Sequence, residues 1–77
     1  MKSLRPNKRG TDVKGKGFDG HVRLEGDEIM VDIFDSSIKD ANDAHVESQA
    51  FPYTPAGARE ATRFLKDNNI NRRIAVS

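Results

Sequence analysis

The chain has 77 residues, no cysteine and a formal net charge of +1. That length leaves room for one domain and not two. Without cysteine there is neither a disulfide nor a thiolate metal site to staple it, and no run approaches the ~20 apolar residues of a membrane-spanning helix.

The near-neutral total conceals charge sorted along the chain. Met1–Gly17 carries Lys2, Arg5, Lys8, Arg9, Lys14 and Lys16 against Asp12 alone, a net of +5. Phe18–Ala50 sets nine acids against Arg23 and Lys39, a net of −7, and Phe51–Ser77 returns to +3. Such sorting points to charged partners rather than to a reaction. No apolar run follows the basic start, so the expectation is no secretory signal and a cytoplasmic location, the host cytoplasm for a viral protein.

Residues 1–17 hold only Met1, Leu4 and Val13 as sizeable apolar side chains, without a period, and Pro6, Gly10, Gly15 and Gly17 interrupt any regular element. The stretch predicts a disordered basic tail, leaving residues 18–77 as one small α+β domain. As an arm it suits nucleic-acid phosphates or an acidic protein surface; equally, it suits simple solubility.

Gly20–Ile33 holds two runs of period two around Gly26-Asp27, which predicts a hairpin with Leu24 facing Ile29 and Val22 facing Val31. Phe18 extends the inner face by parity. Asp35–Ala44 reads as a polar loop, with Ser37 and Asp40 spaced for at most one helical turn. His45–Phe51 predicts a third strand with Val46 and Ala50 on one parity, taken as inner, and Phe51 turning inward at the Pro52 break. Thr54-Pro55 opens a helix as cap and first residue, with Gly57, Ala58, Ala61, Phe64 and Leu65 on one face and Asn68-Asn69 as its stop. Ile70, Ile74 and Val76 fit either a short strand or a packed tail. The expected architecture is a three-stranded antiparallel sheet covered by one C-terminal helix, β-β-β-α. Its core would hold Phe18, Val22, Leu24, Ile29, Val31, Ile33, Val46, Ala50, Phe51, Ala61, Phe64 and Leu65.

Two surfaces are candidates for function. A lone helix covers one side of a sheet, so the outer face sets Met30 and Phe34 among His21, Arg23 and Asp32, the make-up of a protein-binding patch. Arg59, Arg63 and Lys66 form a stripe on the helix which, with Lys2, Arg5, Lys8, Arg9, Lys14 and Lys16, suits phosphates; an ordinary solvated face has the same composition. Asp19, Glu25, Glu28 and Asp32 on the outer face would repel DNA there and suit a basic protein surface instead.

Catalytic and metal motifs are missing. His21 and His45 have no second ligand at helical or strand spacing, the acidic run Asp35–Asp43 lacks the glycine and terminal glutamate of a calcium loop, and Lys14-Gly15-Lys16-Gly17 precedes a strand rather than a helix. No enzyme activity, cofactor or small-molecule substrate is expected.

The order of hairpin, third strand and Phe51-Pro52-Tyr53-Thr54, then a helix with Ala58, Ala61 and Leu65, is generically similar to the three-strand-plus-helix arm-binding domains of phage integrases, over about two thirds of the chain. Those domains read DNA with the sheet; here that face is acidic, and no residue role carries over. The sequence therefore predicts a small non-enzymatic binding protein. The first reading is a regulator or inhibitor of the phage or mobile-element type, bound to a host protein or nucleoprotein complex such as a transcription enzyme. The alternative is a DNA- or RNA-binding module acting through tail and helix stripe, and a third is an assembly subunit pairing through its sheet edge.

Overall fold

The computed structural model describes residues 3–76 as a four-stranded antiparallel sheet in the order β1-β2-β3-β4, with a helix packed on one face. The elements are β1 (Thr11–Lys14), β2 (Phe18–Glu25), β3 (Glu28–Asp35), a single turn α1 (Ala41–Ala44), β4 (His45–Pro52) and α2 (Pro55–Asp67). The α+β class, antiparallel sheet and C-terminal helix are those the sequence predicts; the strand count is not.

The hairpin β2–β3 has the predicted register, with Leu24 opposite Ile29 and Val22 opposite Val31 across the Gly26-Asp27 turn. Gly26 adopts φ 61°, a conformation open to glycine at little cost. On the inner face Val22, Ile29, Val31 and Ile33 are fully buried, while Leu24 at the end of β2 is half-buried.

The extra strand comes from the stretch read as a tail. Thr11–Lys14 pairs with β2, placing Val13 opposite Gly20 on the inner face, where Val13 is buried. Leu4 is buried as well. Its N–H donates to the Arg73 carbonyl at 2.8 Å, and its carbonyl accepts from Ala75 N–H at 2.9 Å, in a parallel bridge between Leu4 and Ile74. Two isolated apolar residues thus bring this basic segment into the fold, because each meets apolar surface that the helix leaves uncovered. Met1 and Lys2 lie outside the described residues.

Strand β4 corrects the predicted core. Phe51 faces Ile29 on the inner side and is buried, so Ala50 faces Met30 on the outer side. Val46, beside a register shift at Ile33/Phe34, is 51% exposed, and Ala50 is exposed too. Phe51 seats against Ile29 and Phe64 and so sets the parity, and a slip of one residue inverts every side chain of the strand.

Thr54 caps α2 as predicted, its hydroxyl accepting from Gly57 N–H at 3.0 Å with Pro55 in the first turn. Asp40 rather than Ser37 caps α1, its side chain accepting from Asn42 N–H at 2.9 Å. Asn69 ends α2 at φ 63°, in the left-handed region asparagine tolerates. Gly57, Ala58, Ala61 and Leu65 are buried beneath the helix, and Phe64 packs on Phe51 with ring centroids 5.7 Å apart. Ile70 and Ile74 complete the core, with Phe18, Tyr53, Phe64 and Val76 packed around it.

The helix reaches the sheet closely because of Gly57. A Cβ built there stands 1.8 Å from the Pro52 carbonyl oxygen, a contact backbone cannot yield without moving β4 or the helix start. Glycine to alanine inside a helix ordinarily gains up to about 1 kcal/mol. Gly57→Ala is expected to reverse that sign and destabilise by about 1–3 kcal/mol, the range for overpacking a tight contact. Urea denaturation with an unchanged m value measures it; a gain in stability would place helix and strand further apart than described here.

Candidate functional site

The outer face of the sheet brings together the residues expected there. Arg23 is its centre: Nη1 donates to Asp32 Oδ2 at 2.8 Å and Nη2 to Glu25 Oε2 at 3.0 Å. The Glu25 hydrogen bond, with the charge of Asp32 behind it, holds the Arg23 guanidinium pKa above its ordinary value. Asp32 accepts a further hydrogen bond from the Ser48 hydroxyl. With that proton directed at Asp32, His45 Nε2 is the donor in its 2.6 Å contact with Ser48 Oγ. Phe34 meets the edge of His45 at a centroid distance of 5.5 Å. On the other side of the face His21 Nδ1 lies 2.8 Å from Asp12 Oδ1, and Lys14 Nζ 3.5 Å from Asp19 Oδ2. The His21 ring sits under Gly10, where a Cβ would stand 2.2 Å from Nε2.

This face is therefore only partly neutralised from within. Asp19 pairs with Lys14, Glu25 and Asp32 share the single cation of Arg23, and Asp12 meets the His21 ring. Met30 and Phe34, expected to stand exposed, are half-buried; the large apolar side chains most open to solvent are Ile38, 41% exposed, and Val46. A cleft of about 350 Å³ lies on this side, with Phe34, Ile38, Ala41 and Ala44 near the Asp12–His21 pair. Among the described residues no group of three or more His, Asp or Glu side chains is placed to hold a metal ion. No helix is long and apolar enough to cross a membrane.

The cations divide differently. Arg5, Lys8 and Arg9 are exposed on the segment before β1, and Arg63 is exposed on α2. Arg59 and Lys66 instead share a groove of about 420 Å³ between α2 and the chain after it. Pro55, Ala58 and Thr62 accompany them on the helix side, and residues 70–76 form the opposite wall, adding Arg72 and Arg73. None of these four cations joins an ion pair among the described residues, and no carboxylate is among the described lining. Arg72 Nε is buried with no hydrogen-bond partner.

Backbone hydrogen bonds fix that wall. Ile74 N–H donates to Thr62 Oγ1 at 2.9 Å, while Leu4 holds Arg73 and Ala75 from the other side. A second hollow, lined by Lys14, Lys16, Lys66, Asn69 and Asn71, meets the groove at Lys66 and Asn71. Lys16 N–H donates to the Asn69 carbonyl at 3.1 Å, which docks the β1–β2 turn on the end of α2. Arg72 and Arg73 were not among the sequence candidates. Their signal was the net charge of the last segment, but nothing in the sequence shows that Ile70 and Ile74 anchor this segment beside the helix.

No protein-family model, curated protein or solved structure matches this chain. The likeness to integrase arm-binding domains rests on element order alone, and the fourth strand departs from it.

Asp35 offers a test of the local electrostatics. The Ser37 hydroxyl, at 2.6 Å, and then the Ser37 N–H, at 2.9 Å, hold its carboxyl below the usual carboxylate range. A folded pKa below the unfolded one adds stability above the unfolded pKa, and that stability is lost as pH falls through the folded value. In an NMR titration Asp35 should deprotonate at lower pH than a free aspartate, and Ser37→Ala should move its midpoint up. An unmoved midpoint would remove the hydroxyl from the account.

Proposed function

We propose that this chain is a small non-enzymatic binding protein, a regulator or inhibitor of the phage or mobile-element type that docks on a host nucleic-acid-processing or transcription machine. The observation that carries the reading is the contrast between the two sides. Asp19, Glu25 and Asp32 of the outer sheet face have partners within the chain, whereas Arg59, Lys66, Arg72 and Arg73 meet in one groove with no carboxylate in its described lining. Unneutralised like charges gathered in a concave site attract an anionic partner and speed its approach. The contact surface proposed is thus the helix side, with the patch of His21, Arg23, Met30, Asp32 and Phe34 secondary to it.

A nucleic-acid module is the second reading. The hollow of Lys14, Lys16 and Lys66 favours it, because it continues the groove into a longer cationic track. Against it stands a net charge of only +1, low for a domain that binds nucleic acid through its charge.

Affinity capture from cell lysate with the full chain separates the two. On the first reading a specific protein is retained after nuclease treatment, and Arg73→Glu releases it. On the second, nuclease removes everything retained, and purified chain binds DNA or RNA with a log–log salt slope of about −0.9 per phosphate contact. That result would replace the first reading with the second.

A further inference from the structure

We infer that the groove beside α2 docks an acidic peptide segment of a partner protein, with apolar side chains interleaved among its carboxylates. The inference rests on the binding-protein reading above and names the chemistry of its partner.

Charge selects the sign of the ligand. Arg59 and Lys66 project from the helix wall and Arg72 and Arg73 from the opposite one, so four cations surround a space of about 420 Å³. That volume takes a few side chains, not a folded domain. Arg72, half-buried, brings a guanidinium to the opposite wall, beside that of Arg73. A carboxylate is the acceptor that a guanidinium takes in two-point geometry, so three arginines among the four cations favour it.

The floor selects between kinds of anion. Ala58, Ile70 and Ile74 are buried beneath the groove, and Pro55 and Val76 add apolar surface along it. A sugar–phosphate strand has no aliphatic side chains to cover such a floor. Nor is any aromatic ring in the lining for a base to stack on, the contact on which sequence-tolerant single-strand binding depends. A peptide alternating acids with leucine or isoleucine satisfies both, with carboxylates on the cationic walls and aliphatic groups on the floor.

Fluorescence anisotropy with the full chain tests this. The probe is a labelled synthetic peptide in which pairs of Glu or Asp separate single Leu residues. Comparators are an all-Glu peptide, a version with Gln and Asn in place of the acids, and single-stranded oligo-dT. The acidic–apolar peptide is expected to bind, and losing either its leucines or its charges should weaken it about tenfold. The double variant Arg59→Glu, Arg73→Glu, at two exposed positions, should likewise weaken it about tenfold or more. Arg63→Glu, outside the groove on the same helix, should leave affinity within about twofold, with circular dichroism confirming that both variants fold.

The inference is overturned if the unsubstituted chain does not bind the peptide at low salt. It is equally overturned if all-Glu or oligo-dT binds as tightly, or if Arg63→Glu weakens binding as much as the groove variant. A partner cross-linked through Arg59 or Arg73 positions, with every acidic peptide failing, would end this inference and leave the binding-protein reading standing. Failure to capture any protein from lysate would end that reading itself.

Discussion

The inner face of the sheet is wider than the helix that covers it, and the burial of that surplus width organises everything else. Strands lie about 4.8 Å apart, so four of them span about 14 Å between outer axes, plus their side chains, whereas a helix is about 10 Å across. Helix α2 contacts β3 and β4. The β1–β2 side would be open to water were it not for Leu4, Val13, Ile70 and Ile74, all buried there from the two ends of the chain. At about 1.5–3 kcal/mol for each large side chain buried, those residues are a substantial part of the core of so small a domain. Gly20 belongs to the same arrangement. A Cβ there would meet Val13, Leu65 and Ile70, each within about the closest approach real side chains show. The narrow floor of β2 is where helix, edge strand and C-terminal segment converge.

The groove follows from this packing. When a sheet is covered by a helix on one part and by an extended segment on the other, a seam must run between them. Here the seam is bounded by the outward-leaning residues of α2 and by residues 70–76. The side chains whose backbones are fixed there happen to be cationic, while those on the opposite sheet face pair across neighbouring strands. Cross-strand partners explain that second outcome. Lys14 stands opposite Asp19 and Arg23 one step diagonally from Asp32, so antiparallel register alone brings opposite charges within reach, as it sets the His21 ring opposite Asp12.

Which parts of this were legible in the sequence depends on how local their causes are. The hairpin β2–β3 was, down to its register, because alternation on both strands and a turn between them state the same pairing twice. The helix was also legible, since Thr54, Pro55 and Asn69 act within a turn of their own position. Strand β4 was only half legible: it carries apolar residues on both parities, and the choice is made by Phe51 seating against Ile29 and Phe64. Strand β1 and the Leu4–Ile74 bridge were not legible at all. A four-residue strand with one apolar side chain has no periodicity to detect, and its stability comes from a long-range partner. The outer sheet patch was placed correctly as a set, but its charges were counted as free when the fold pairs Asp19, Glu25 and Asp32. The groove was missed for the same reason as the bridge, since it exists only once both chain ends have docked.

The cationic seam has a physical cost that the fold does not relieve. Arg59, Lys66, Arg72 and Arg73 repel one another across a concave space where solvent screening is weaker than on an open surface, and Arg72 Nε gives up water without gaining an acceptor. Local consistency holds elsewhere: Asp19, Glu25 and Asp32 on the sheet face each meet a cation, and both helices have their caps. A departure confined to one groove in an otherwise self-consistent molecule is the pattern expected where stability is traded for binding. The walls are also held before any ligand arrives, by Thr62 on one side and Leu4 on the other. An anion entering the seam therefore meets a backbone already in place, and the ordering it must supply is that of the cationic side chains.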